Sequence, residues 1–230
     1  FALLLCGLGF GVYSYAQQLL HGEIVTGMRT IGMDGATWGL YIVCVVFFIG
    51  VSFAGITVAA IIRLFNIETI RPLSRLAELV TITALIMGAL AILADLGQPL
   101  KGLINLPKYA RPMSPFFGTF SLVMGGYLSA SLLYFFLAGR ADAAACAARG
   151  GRLKWFHKLW ACGYTGSEAE KARHHRVSFW LALVILPMLV TAHTTLGFIF
   201  GIQGGRPGWF NALSGPGFVV MAGVSGIGVV

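Results

Sequence analysis

The sequence predicts an all-α, polytopic membrane protein, and three observations carry that expectation. Only 10% of the 230 residues are charged and 57% are hydrophobic, whereas a soluble domain carries roughly 25% charge. The apolar residues fall in runs of about 20, the length at which a helix crosses the hydrocarbon core. The runs are continuous rather than alternating, which suits helices and not barrel strands. The 31 glycines agree, because Gly is commoner in membrane helices than in soluble ones. The same composition excludes a soluble globular domain and a disordered or nucleic-acid-binding tail. The lipid bilayer is the expected surrounding, and no nucleic acid is expected as a partner.

Six spans follow in order: roughly 1–20, 38–65, 75–97, 117–139, 177–202 and a last one from about 217 to 230. Both chain ends fall inside apolar runs, so the sequence reads as part of a longer polytopic chain. The basic residues set the orientation, since positively charged loops stay cytoplasmic. Arg63, Arg71, Arg75, Arg140, Arg149, Arg152, Lys154, Lys158, Lys171, Arg173 and Arg176 lie on one side, 11 in all. Arg29, Lys101, Lys108, Arg111 and Arg206 lie on the other, 5 in all. The first helix therefore starts in the cytoplasm, and loops 21–37, 98–116 and 203–216 face outward. Residues 140–176 form one long polar cytoplasmic connection. Within it Leu153–Trp160 mixes aromatics and cations as an interfacial helix does.

Ionisable groups inside a bilayer are costly, roughly 2.5–3.5 kcal/mol each at a helix centre, and so point to function. Asp95 ends the third span, and His193 lies about 24 Å of rise into the fifth. Gln17, Gln18 and His21 close the first. On the predicted orientation a carboxylate, an imidazole and two amides reach one outward depth from separate helices. Stepping back from Asp95 gives Ala91, Gly88, Ala84 and Thr81, a seam of small or polar residues fit for close helix packing. Thr194, with Thr191 and Thr195, surrounds His193 with hydroxyls, and Pro187 is expected to kink the same helix. Glu78, three residues after Arg75, reads as an interfacial ion pair, or with Thr81 as part of a proton path. Asp95 also reads as a plain helix-end group, and His193 as a satisfied interior histidine.

The four cysteines are scattered with no CxxC, so no iron–sulfur or zinc site is expected. A bis-His haem is not expected either, because His193 is the one histidine within a span. An imidazole and a carboxylate near the edge of an apolar bundle suit a quinone, whose redox chemistry moves protons with electrons and whose carbonyls take hydrogen bonds. The electrons must then come from a partner.

Several segments resemble one membrane-subunit family. They are Val25-Thr-Gly-Met-Arg-Thr, Thr37-Trp-Gly-Leu-Tyr-Ile, Phe47-Phe-Ile-Gly, Arg71-Pro-Leu-Ser-Arg-Leu-Ala-Glu, Asp95-Leu-Gly-Gln-Pro, Met113-Ser-Pro, Gly126-Tyr-Leu, Thr191-Ala-His-Thr-Thr and Gly205-Arg-Pro-Gly-Trp-Phe-Asn-Ala-Leu. In order and spacing they resemble the NrfD or polysulfide-reductase membrane subunits, with the alternative complex III type the nearest likeness. Gln98 stands where the family's third-helix motif usually has Arg. The resemblance implies an 8–10 helix protein of two four-helix bundles. Residues 1–37 are then a flanking helix and outer loop, 38–203 a complete bundle from the second to fifth spans, and 204–230 the start of the second bundle. It also implies a quinone, menaquinone or ubiquinone, bound near Asp95 and His193, and a bacterial cytoplasmic membrane. The implied partners are an iron–sulfur ferredoxin-like subunit on the outer face and molybdopterin or multihaem cytochrome subunits, with a link to proton translocation. The competing readings are a secondary transporter or proton-conducting subunit without quinone chemistry, and a purely structural anchor. Broken helices in inverted repeats mark the transporter class, and only Pro187 interrupts a span here.

Overall fold

The computed structural model describes residues 1–27, 39–109, 111, 113, 119, 121–205 and 207–229. Positions 28–38, Ser114, Pro115 and Arg206, which carry parts of the quoted motifs and outer loops, lie outside the described residues, as does most of 117–120 at the start of the fourth predicted span. Among the described residues the structure is all-helical. Five helices are long and apolar enough to cross a membrane: α1 (Ala2–His21), α2 (Leu40–Leu64), α3 (Arg71–Asp95), α5 (Ser121–Arg149) and α7 (Glu168–Gly201). The helix α8 (Ser214–Ile227) answers to the sixth run. Two short helices, α4 (Pro99–Tyr109) and α6 (Lys154–Ala161), lie between the long ones.

Two expectations about connections need correction. The stretch 140–176 is not one loop: α5 runs on to Arg149 and α7 already begins at Glu168. Residues 141–148 are mostly Ala, the strongest helix former, so the helix continues after its apolar run ends. Ser167 starts α7, its hydroxyl accepting from Glu170 N at 3.3 Å. The Glu170 carboxylate reaches back to Thr165 N at 2.7 Å and Gly166 N at 3.1 Å, a reciprocal cap. The expected outer loop 98–116 likewise contains α4, which opens on Pro99 where a missing N–H costs nothing. The interfacial segment 153–160 is helical as α6, and α7 runs unbroken through Pro187.

The helices α2, α3, α5 and α7 form a ring, each packed on the next, and α8 packs on the outside of the α2–α7 pair. The shared core holds Phe53, Ile56, Leu85, Tyr127, Tyr134, Ile185 and Leu189. The far sides of these helices expose Leu79, Leu133, Val184 and Val220, which is apolar surface suited to lipid rather than water. α1 stands at the periphery and inserts Gln18, whose amide nitrogen donates to Ala94 O at 3.2 Å and whose oxygen accepts from Tyr41 Oη at 3.2 Å.

Close packing rests on small residues, because lipid offers helices no hydrophobic drive to associate and tight backbone approach must supply the attraction. A methyl group at Gly55 would overlap the Thr81 hydroxyl and the Ala77 carbonyl, and one at Gly226 would overlap Ala54 and the Gly50 carbonyl. Gly88 leaves Ile49 just enough room, so the Thr81–Ala84–Gly88 seam of α3 faces α2. Replacing Gly55 by Val should push α2 from α3 and destabilise the fold by about 1–3 kcal/mol, read as a lowered thermal midpoint in detergent. Gly7→Val, with open space around it, should leave the midpoint unchanged.

Candidate functional site

His193 is the most deeply placed of the expected site residues. It is 1% exposed and sits on the inward face of α7, with Leu189 one turn before it and Leu196 and Phe200 after it. Its Nδ1 lies 2.9 Å from Leu189 O and its Nε2 lies 3.0 Å from Ile49 O across the α2 interface. Both ring nitrogens thus face carbonyl oxygens. A neutral imidazole has one N–H to donate, so one of the two contacts is unsatisfied in that form and both are satisfied only by the doubly protonated ring. Phe53 and Tyr127 meet the ring edge-on, with centroids at 4.8 and 5.9 Å.

One wall of His193 borders a cleft of about 550 Å³ between α2, α7 and α8. Ile42, Val46, Leu196 and Met221 line its sides. Phe200, Phe218 and Trp209 form an aromatic wall, Phe200 stacked on Phe218 at 5.4 Å and Trp209 tilted against both. The polar groups among the lining side chains are those of His193 and Ser225 and the indole N–H of Trp209. An apolar slot with few polar groups is the form of a pocket for a flat, largely apolar ligand.

The structure does not gather the other expected residues into this cleft. Asp95 is half-buried at the end of α3, Gln17 is half-buried on α1, His21 is exposed with its ring near Gln17 O at 3.1 Å, and Thr194 is half-buried on α7. None of them lines the cleft. Of the two expected amides it is Gln18 and not Gln17 that enters the fold, where it joins α1 to the Ala94 carbonyl beside Asp95.

At the opposite end of the bundle, Glu78 is 1% exposed. Its two carboxylate oxygens accept from Arg63 of α2 at 2.8 Å and from Arg75 at 2.9 Å. Arg75 also donates to Asp142 at 2.5 Å and to the Ala138 carbonyl, both on α5. Arg63 stacks over the Tyr134 ring at 5.3 Å. Glu78 is therefore the centre of a buried ion-pair node that ties three helices, and its pairing with Arg75 is joined by a second partner from α2.

Between this node and His193 runs a file of buried hydroxyls. Ser131 and Tyr134 make no hydrogen bond of ordinary geometry through their hydroxyls, although Arg63 stands beside Tyr134 and Ser131 beside Tyr127. Tyr127 Oη pairs with Ser52 Oγ at 3.2 Å, and Ser52 Oγ donates to Ile49 O at 2.6 Å, the carbonyl that His193 also faces. Thr81 is fully buried, its hydroxyl donating to Ala77 O at 3.0 Å and meeting Ser52 O at 3.3 Å. Sequence reading missed Tyr127, Ser131, Tyr134 and Ser52. The signal was present on α5, where steps of 4, 3 and 4 from Tyr127 give Ser131, Tyr134 and Ala138, the inward stripe of a helix. Among the described residues no three His, Cys, Asp or Glu side chains gather as a metal site.

Helices with lipid-facing apolar outsides, a buried charge node and an apolar cleft bordered by an imidazole define a polytopic membrane protein built around intramembrane polar groups. Its family is set by comparison: residues 29–230 match the family described as Polysulphide reductase, NrfD, and the chain belongs to that family. The chain is 36% identical over 229 residues, 99% of its length and 48% of the relative's, to a protein of Halobacterium salinarum named as a dimethyl sulfoxide reductase membrane subunit. It is 28% identical over 226 residues, 94% of its length and 51% of the relative's, to a selenate reductase subunit of Mesobacillus selenatarsenatis. The chain thus spans about half the length of these curated relatives. It is a multi-pass integral membrane protein of that family.

The Glu78 node makes a stability prediction. Removing the carboxylate leaves two guanidinium groups facing each other in a poorly hydrated interior, a change that costs about 3–5 kcal/mol for a buried pair. Glu78→Leu should therefore lower the thermal midpoint strongly. Asp142→Ala, which removes an exposed partner of Arg75, should cost less than about 1 kcal/mol.

Proposed function

We propose that this chain binds a quinone or quinol in the cleft between α2, α7 and α8 and exchanges electrons with an iron–sulfur partner subunit of the same complex. The observation that carries the reading is the cleft itself, apolar and aromatic along its walls, with the His193 imidazole at its edge. A quinone carbonyl entering there competes with Ile49 O for the Nε2 proton. When a quinol is oxidised to the quinone, two electrons leave to the partner and two protons leave to polar groups, and His193 is positioned to take the first proton. The excess of basic residues at the Glu78 end supports a cytoplasmic position for that end, which turns the cleft toward the outer face, where the iron–sulfur subunit docks in this reading. Asp95 stands on that same side as a carboxylate from which a proton can reach the aqueous phase.

The complex has a catalytic molybdopterin or multihaem subunit beyond the iron–sulfur one, in a bacterial cytoplasmic membrane. Support comes from the two relatives, whose names describe subunits of dimethyl sulfoxide and selenate reductases. The hydroxyl file from Glu78 through Tyr134, Ser131, Tyr127 and Ser52 to His193 is the proton route of this reading, with Thr81 beside it. It spans the bundle on groups that can pass a proton by reorienting hydroxyls.

The test uses the intact complex with a water-soluble quinol. His193→Ala should lower quinol-linked turnover by about 100-fold or more while the complex still assembles and its catalytic subunit still works with an artificial donor. Val46→Trp, which fills the cleft, should do the same without touching a titratable group. Normal quinol turnover in both variants would sink the assignment. Tyr134→Phe separates the two halves of the reading: electron transfer should persist, whereas proton release at the Glu78 side, followed by a pH dye in proteoliposomes, should fall. Unchanged proton release there removes the hydroxyl file from the mechanism.

A further inference from the structure

A cavity of about 980 Å³ lies at the Glu78 end of the bundle, away from the His193 cleft. All four ring helices contribute to it. Its walls carry Arg63, Arg71, Arg75, Lys171, His174 and His175. Two carboxylates, Glu68 and Asp142, share the lining, and Glu78 sits beneath it. Most of these charges are already matched. Arg63 and Arg75 hold Glu78, Arg75 also holds Asp142, and Lys171 pairs with Glu168 at 2.7 Å.

Two of the guanidinium groups keep unused donors. Among the described residues the Arg71 guanidinium makes no hydrogen bond or ion pair, and the buried Nε of Arg63 has no acceptor. A buried guanidinium nitrogen without an acceptor is costly, and an oxygen anion in the cavity would remove that cost. The surroundings have the same sign. This end of the chain carries the 11 basic residues named above against Glu68, Glu78, Asp142, Glu168 and Glu170.

The remaining wall decides what kind of anion fits. Ile62, Ile67, Pro72 and Phe179 form an apolar side, and Ile67 and Phe179 are each 37% exposed. The cavity lies where the apolar parts of α2 and α7 give way to their charged ends, which is the level of lipid headgroups. A free inorganic ion has no use for an apolar wall, whereas a phospholipid has a phosphate for the cations and glycerol and acyl carbons for the rest. Basic pockets between membrane helices take acidic headgroups in this way.

We infer that this cavity is a binding site for the phosphate headgroup of an acidic phospholipid, held by Arg71 and the free edge of Arg63, with Lys171 beside them because its ammonium keeps donors beyond the one given to Glu168. The site is independent of the quinone reading, since it shares no lining residue with the His193 cleft. Its test is native mass spectrometry on the intact complex after detergent exchange into phosphatidylglycerol, phosphatidylcholine or neither. The wild type should retain one phosphatidylglycerol per copy of this chain and no phosphatidylcholine. The double substitution Arg71→Gln, Lys171→Gln should reduce retention by about tenfold or more; both side chains are exposed enough for folding to survive. Arg152→Gln, equally exposed but outside the cavity, should leave retention unchanged. Equal retention of phosphatidylcholine, displacement by millimolar inorganic phosphate, or retention unaffected by the double substitution would each overturn the inference, the second by reassigning the site to free phosphate.

Discussion

The absence of water along most of these helices is the constraint on which the structure depends, and the Arg63–Glu78–Arg75 node is where it acts most strongly. A lone carboxylate in hydrocarbon costs several kcal/mol. Glu78 is tolerable only because cations from α2 and its own helix reach both oxygens at 2.8 and 2.9 Å. Meeting that requirement fixes the register of α2 against α3. The same register sets Gly55 against Thr81 and Ala77, where any larger side chain collides. Arg75 then carries the node to α5 through Asp142 and the Ala138 carbonyl. One buried charge thus determines how three of the four ring helices meet.

At the other end the helices are held by shape instead. α8 reaches α2 through Gly226 and Ala54, and reaches α7 through the Gly197 and Gly215 region. Contacts between such small residues are close but local. Where the side chains become large, at Phe200, Trp209 and Phe218, the helices stand apart and the cleft opens beside His193. The bundle therefore has a charge-locked end and a shape-locked end, and the two cavities reflect this: one is ringed with guanidinium groups, the other is apolar. His193 joins the two regimes. Its ring is fixed by carbonyls of α2 and α7, yet those carbonyls exceed what a neutral imidazole can satisfy, so its protonation is coupled to whatever else approaches it.

The long helices were legible in the sequence because a bilayer imposes a length on apolar runs, and α2, α3 and α7 lie where those runs do. The helical continuation of α5 to Arg149, and α4 between Pro99 and Tyr109, were not legible that way. In water a helix is limited by propensity and caps rather than by hydropathy, and the Ala-rich stretch after Arg140 had to be read on that scale. His193 stood out as an ionisable group in a span. Its cleft did not, since residues near 42–50, 193–200 and 209–225 make it jointly and no local pattern links them. Depth alone grouped Asp95, Gln17, Gln18 and His21 with His193, and adjacency on the same helix added Thr194. Depth fixes one coordinate, while the helix face and the neighbouring helix fix the other two, and on those Gln18 rather than Gln17 turns inward.

The hydroxyl file shows why facing matters more than polarity in such a protein. Tyr127, Ser131 and Tyr134 are individually ordinary, and Ser, Thr and Tyr occur throughout the lipid-exposed surface as well. Their effect comes from steps of 4 and 3 that keep them on one face of α5, opposite Ser52 and Thr81 on faces of α2 and α3 that the Gly55 contact holds close. The charge node and the glycine contact thereby place the hydroxyls in a line without bonding to most of them. Disturbing the α2–α3 approach should displace Ser52 from Tyr127 before it disturbs any ion pair, because a 3.2 Å hydroxyl contact has less tolerance and less strength than a pair of charge-assisted bonds. The helix spacing that stabilises the fold is on this account the same quantity that keeps Ser52 against Tyr127.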